Sequence, residues 1–126
     1  MSRSLAVLDR LPVRSPGRIR LLRAQEVDWI DADGNYVRIH TGGESHRLKA
    51  ALASLEARLD PERFRRIHRS TIVNLERVRE ILVSPHGDYT LVLEGGSRLS
   101  VGRSYRDRLG LFDDFEADGG EDEPLE

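Results

Sequence analysis

The chain has 126 residues, no cysteine, and a formal net charge of −2 from 20 basic and 22 acidic side chains. That length allows one domain with a single modest core, and the lack of cysteine excludes a disulfide framework and a thiolate metal site. No apolar run is long enough to span a bilayer and no signal-type apolar region is present, so the expectation is a cytoplasmic protein with no membrane partner.

The small net charge hides an asymmetry. Residues 113–126 hold eight acidic side chains and no basic one, which leaves 20 basic against 14 acidic side chains in residues 1–112. A body of about +6 favours a polyanionic partner. Nineteen of the basic residues are Arg and only Lys49 is Lys. Arg forks onto phosphate and onto guanine edges, although a codon preference for Arg would leave the same mark.

In chain order, residues 1–10 read as a linker and Leu11–Arg14 as a first strand. The Pro16-Gly17 turn joins it to Arg18–Leu22 in a hairpin. Glu26–Asp31 has the β-branched and aromatic content of a strand, and Tyr36–Thr41 alternates apolar with polar residues. Ala32-Asp33-Gly34-Asn35 between them is a turn sequence. A further short strand is expected at Ser45–Leu48. Leu48, Leu52, Leu55 and Leu59 recur at helical spacing, so Ala50–Leu59 is the clear amphipathic helix, and Asp60-Pro61 stops it. Val78–Val83 is a strand, Ser84–Asp88 a turn, and Tyr89–Leu93 with Arg98–Val101 a second hairpin. A short helix is expected over Ser104–Phe112, followed by an acidic, disordered tail over 113–126. The fold class is mainly β: small antiparallel sheets with one short amphipathic helix.

The densest chemistry lies in Phe64-Arg65-Arg66-Ile67-His68-Arg69-Ser70-Thr71-Ile72-Val73-Asn74. Four cationic or ionisable side chains fall within five residues, directly before an apolar strand. A basic, hydroxyl-bearing loop anchored by a buried strand is suited to grip an anion; a solvated charged turn beside a core strand is the competing reading. Gly34-Asn35-Tyr36 and Gly102-Arg103-Ser104-Tyr105-Arg106 are two further polar segments at strand ends.

In this order the segments resemble the LytTR family, the DNA-binding output domain of many bacterial response regulators. The resemblance covers roughly Leu11 to Leu111 and rests on Val27–Val37, Leu52–Leu59, the block from Phe64 to Asn74, and Leu99–Tyr105. It implies an elongated stack of small antiparallel sheets over 11–112, with loops rather than a helix entering successive major grooves of double-stranded DNA. It places base reading on Asn35, Tyr36, Val37, His68, Arg69 and Arg103. Phosphate contacts are expected at Arg38, Arg66, Ser70, Ser104 and Arg106. It further implies a pair of protomers on direct-repeat sites, with a receiver domain or histidine-kinase pathway upstream. Two departures stand out. Gly102 replaces a Ser common in the family, which removes a hydroxyl that could hold a phosphate, so a looser or repositioned loop is expected there. The 126 residues hold no receiver domain, as expected of either a naturally short regulator or an excised output domain whose linker ends in residues 1–10.

For several residues a structural role competes with a functional one. His68 either donates to DNA or orients its loop. Asn74 is read as a turn cap, Trp29 and Phe64 as core, and His40, His46 and His86 as surface residues. Tyr36 either points outward or is buried. No catalytic constellation, metal cluster or cofactor motif is expected. The alternative function is an RNA-binding or protein-interaction β module, disfavoured by the small number of aromatics, seven in all, available for base stacking.

Overall fold

The structure, a computed structural model, describes residues 7–110. The expectations for the extreme N-terminus, for residues after 110 and for the acidic tail lie outside the described residues.

Strands β1 (Arg10–Ser15) and β2 (Arg18–Arg23) pair antiparallel as a two-stranded sheet. Gly17 takes φ +81°, the left-handed value a residue after Pro16 needs to reverse the chain. A 3₁₀ turn over Ala24–Glu26 occupies the start of what the sequence suggested as the next strand; β3 begins later, at Trp29, and runs to Asp33. Buried Ala24 and Val27 pin that turn beneath the sheet. β3 and β4 (Tyr36–Thr41) form a tight hairpin in which Asp33 opposes Tyr36. Only Gly34 and Asn35 lie between them, and Gly34 at φ +65° supplies the positive φ such a loop requires.

β5 (Glu44–Leu48), β6 (Phe64–His68) and β7 (Thr71–Asn74) complete a five-stranded antiparallel sheet in the order β5-β4-β3-β7-β6. β8 (Val78–Val83), β9 (Tyr89–Leu93) and β10 (Arg98–Ser100) form a separate sheet in the order β10-β9-β8. The single α-helix among the described residues, α1, spans Leu52–Arg58. At seven residues it is too short to persist alone. Burial of Leu52, Leu55 and Leu59 holds it, at roughly 1.5–3 kcal/mol per side chain. The predicted C-terminal helix is a 3₁₀ turn over Arg103–Arg108.

The five-stranded sheet is covered on one face and, over its β3-β7-β6 part, on the other. Ile30, Val37, Ile39, Phe64 and Ile72 point to one side and share a core with Leu11, Val13 and Leu22 of the hairpin and the leucines of α1. Ile67 and Val73 point to the other and pack with Leu91, Leu93, Leu99, Val101 and Leu109. Trp29 joins this second cluster from its rim, so the core reading for it and for buried Phe64 is confirmed. Asn74 joins the layers. Its side chain is fully buried, its amide Nδ2 donates to the Val27 carbonyl at 2.8 Å, and its Oδ1 accepts the Glu76 amide at 3.0 Å. It caps the 3₁₀ turn Leu75–Arg77, as the sequence suggested.

Asn74→Ala removes both bonds and leaves the Val27 carbonyl unpaired in the interior. The expected cost is about 1–3 kcal/mol, measured by urea unfolding. A loss below about 0.5 kcal/mol would show that water replaces the amide.

Candidate nucleic-acid interface

Sheet register gathers the polar segments at one end of the molecule. Asp33 opposes Tyr36, and Asp31 opposes Thr71, so the β3–β4 and β6–β7 turns project from the same end of neighbouring strands. The Ala32 amide donates to the Ser70 carbonyl at 2.9 Å and ties the two turns together. The Gly102 amide donates to the Ile67 carbonyl at 2.7 Å, which brings the Arg103–Arg108 turn alongside. Arg106 in turn donates to the Gly87 carbonyl, and Arg103 Nε to Asp88 Oδ1 at 3.1 Å, so the β8–β9 turn closes the group.

A β-bulge aims the central loop. The register between β6 and β7 shifts between Arg66 and His68, leaving Ile67 as the extra residue. His68 therefore opposes Thr71 and shares the face of Ile67 and Val73. Without the bulge it would fall on the helix side of the sheet. On its actual face it meets Gly102. A Cβ on Gly102 would lie 3.1 Å from the Tyr105 ring and 3.7 Å from His68 Cδ2. Gly102 fits this turn closely against the bulged strand, where its amide bond to the Ile67 carbonyl holds it.

Arg66 locks the turn. Its Nε donates to the His68 carbonyl at 3.0 Å, one terminal nitrogen to the Arg69 carbonyl at 2.6 Å, and the other to Glu56 of α1 at 2.6 Å. Only 17% of its side chain is exposed. A guanidinium with all three nitrogens engaged is a brace, so Arg66 does not stand as a free phosphate ligand; its rigid fork matches acceptors on two elements. Inside the turn, His68 Nδ1 accepts the Ser70 amide at 3.2 Å and lies 3.0 Å from Ser70 Oγ. This pattern assigns the ring proton to Nε2. His68 therefore orients its loop, through the Ser70 amide and not a carbonyl, and keeps one donor for a partner.

The other predicted site residues divide. Val37 is fully buried in the helix-side core and is removed from the base-reading set, because Tyr36–Thr41 alternates and places it inward. Asn35, Arg69, Arg103 and Ser104 are exposed on the gathered turns. Arg69 makes no side-chain hydrogen bond or ion pair among the described residues, and Arg103 keeps 74% of its side chain exposed despite Asp88. Ser70 and Arg106 are half-buried. Arg38 is exposed but donates to Asp31 at 2.7 Å; that hydrogen bond, with the carboxylate charge, raises its pKa above an already high value. Tyr36 is half-buried beneath the Arg47 guanidinium, 4.1 Å from its ring centroid.

His40 and His46 are not the plain surface residues expected. His40 stacks on Trp29 with ring centroids 3.7 Å apart and bonds Asp31 at 2.8 Å. His46 keeps only 11% of its side chain exposed, near Thr41 and Glu44. His86 is exposed. Among the described residues no cluster suits a metal ion, and no helix is long and apolar enough to cross a membrane. Sequence reasoning missed Arg14, Arg47 and Lys49, which meet around Tyr36 through pairing of β4 with β5 and packing of β1 on β5. They are far apart in the chain, and no local pattern unites them.

The architecture defines a class: a β module that presents basic and hydroxyl side chains on braced turns instead of on a helix. Residues 17–111 match the family described as the LytTr DNA-binding domain, and the chain belongs to that family. It is 33% identical over 95 residues to the transcriptional regulatory protein LytR of Staphylococcus aureus, covering 75% of this chain and 39% of that protein. It is 40% identical over 84 residues to the CO-responsive transcriptional regulator RcoM of Rhodospirillum rubrum, covering 66% of this chain and 36% of that protein. A LytTr DNA-binding domain from Bacillus cereus superposes with a TM-score of 0.76 at 21% identity, over 86% of this chain and 99% of that one. The elongated β fold expected from the resemblance is therefore the fold observed. The chain spans less than two fifths of the length of these two curated relatives.

Arg66→Ala should free the β6–β7 turn. Loss of charge-assisted bonds worth about 1.5 kcal/mol corresponds to roughly tenfold faster amide exchange at Arg69 and Ser70. Hydrogen-exchange mass spectrometry of the peptide covering 66–71 measures it, and Arg66→Lys should not rescue it. Unchanged exchange would mean that the bulge alone holds the turn.

Proposed function

We propose that this chain is the DNA-reading part of a sequence-specific transcription regulator, and that it reads double-stranded DNA through the Asn35, His68–Arg69 and Arg103 turns in successive major grooves. The observation that carries this is the convergence of those turns at one end of the five-stranded sheet, with exposed Arg69 and Arg103 flanking a braced His68. Arg offers a bidentate fork to guanine, and Asn to adenine. Ser70, Ser104, Arg38 and Arg106 are assigned to phosphates, which position the module without specifying sequence.

Pairing of two protomers on a direct repeat belongs to the same reading. So does control by an input domain on the N-terminal side. The relatives' names point to different inputs: one is a LytR regulator and the other responds to CO. What this chain shares with both is an output module, and a receiver domain or histidine-kinase pathway is the proposed input on the LytR side.

An RNA-binding role is less well supported. Among the described residues the aromatics are occupied: Trp29 lies against His40, Phe64 is in the core, Tyr36 lies under Arg47, and Tyr89 and Tyr105 pack on the second cluster. No open stacking face remains for single-stranded bases. Filter-binding competition should favour duplex DNA over single-stranded RNA.

Selection of duplexes from a random pool should return two similar motifs in the same orientation. On the selected site Arg103→Ala should lose about 1–3 kcal/mol of affinity, with a much smaller loss on random duplex. Equal loss on both would reduce Arg103 to a phosphate contact and remove its base-reading role.

A further inference from the structure

A second basic feature lies beside the predicted loops and belongs to none of them. Arg14 of β1, Arg47 of β5 and Lys49 just beyond it surround an open cleft of about 370 Å³ floored by Tyr36 and Leu48. None of its lining residues is acidic. The nearest carboxylate to Arg47 is Asp33, at 3.7 Å from its Nε, with 42% of the Asp33 side chain exposed. The Arg47 guanidinium sits over the Tyr36 ring with its Cζ 4.1 Å from the centroid, a cation–π contact that positions it beside the cleft.

The position of the cleft follows from strand pairing. Leu48 opposes Val37, so Lys49 falls beside Tyr36, at the same end of the sheet as the β3–β4 and β6–β7 turns. In the order β5-β4-β3-β7-β6, β5 lies three strands from β7. At about 4.8 Å per strand the cleft is ~14 Å from the Arg69 turn. The B-DNA major groove is about 12 Å wide. With the Asn35 and Arg69 turns facing the duplex, a cation farther along the same edge meets the sugar–phosphate backbone that flanks them.

We propose that the Arg14–Arg47–Lys49 cleft is a phosphate-binding site that grips the DNA backbone beyond the base-reading loops, with Tyr36 as the platform for Arg47 and not as a base reader. The proposal rests on the DNA-binding reading above and extends its footprint to the β1–β2 hairpin. The cleft takes phosphodiesters and carries no base specificity. It also gives the chain's single lysine a defined role: a compact, mobile ammonium at the rim.

The test uses the full chain and a random-sequence duplex, with affinity measured across a salt series. Each lost phosphate contact removes about 0.9 from the slope of log affinity against log salt. Lys49→Ala and Arg14→Ala should each flatten the slope by that amount and leave the ratio of selected-site to random-duplex affinity unchanged. Arg23→Ala removes the same charge at the opposite end of the hairpin, where Arg23 faces Arg10, and should leave the slope unchanged. Lys49→Arg should retain the wild-type slope. All these side chains are exposed, so thermal unfolding should not change.

Because Lys49 is the only lysine, an amine-acylating reagent read by mass spectrometry reports on it directly. Saturating duplex should slow its acylation several-fold. Wild-type slopes for Lys49→Ala and Arg14→Ala, or unprotected Lys49 on a duplex that the chain demonstrably binds, would overturn the cleft and leave the loop-reading function standing. An Arg23→Ala slope flattened as much as the other two would overturn it as well, by reducing the effect to net charge. Failure of the intact chain to bind any duplex would overturn both.

Discussion

The single residue inserted at Ile67 governs the rest of the interface. A regular β6–β7 hairpin would turn His68 toward α1, away from the Arg103 turn. The bulge reverses that, and the Ile67 carbonyl then accepts the Gly102 amide and docks the third turn. A bulge gives up ladder pairing and needs support. Here buried Ile67 supplies it from the second core and Arg66 from the first, bridging to Glu56. The aim of the loop is thereby coupled to both layers of packing.

That coupling depends on the part of the sheet around β6 and β7 being packed on both faces. Loops that must meet a rigid, periodic partner need more than a hairpin anchored on one side. The five-stranded sheet is such an anchor, with two separate apolar clusters on its faces. Asn74 lies at the seam and bonds one polar side chain to two elements. The short helix α1 has a supporting role: it caps one core and offers Glu56 to Arg66.

Electrostatically the described surface is less free than its arginine count suggests. Arg66 and Arg77 bond carboxylates or carbonyls, and Arg65 donates to the Pro61, Arg108 and Leu109 carbonyls. These are structural cations. Among the other exposed cations, Arg69, Arg103, Arg14, Arg47 and Lys49 gather at one end. Exposed pairs such as Arg103 with Asp88 contribute little to stability. Such a pair can therefore exchange its carboxylate for a phosphate at small cost.

Much of this was legible from residue order alone. Period-two alternation predicted Tyr36–Thr41, and glycine with proline predicted the hairpin turns. Leucine spacing predicted α1, and the block from Phe64 to Asn74, with its flanking motifs, pointed to the family. These signals are local, and strand and turn chemistry act over a few residues. The sequence by itself thus determined where the chain turns, that its body is basic, and most of the strands, though not β6 or the start of β3. Tertiary structure alone decided which cations are free. Arg66 and Arg69 are three residues apart and chemically alike, yet one is a brace and the other is exposed, because a bulge and a glutamate ten residues upstream lie next to the first. It also decided that Val37 is core while adjacent Tyr36 is not, and that Arg14 meets Lys49. Those outcomes depend on register and on contacts between distant strands, and no local pattern records them.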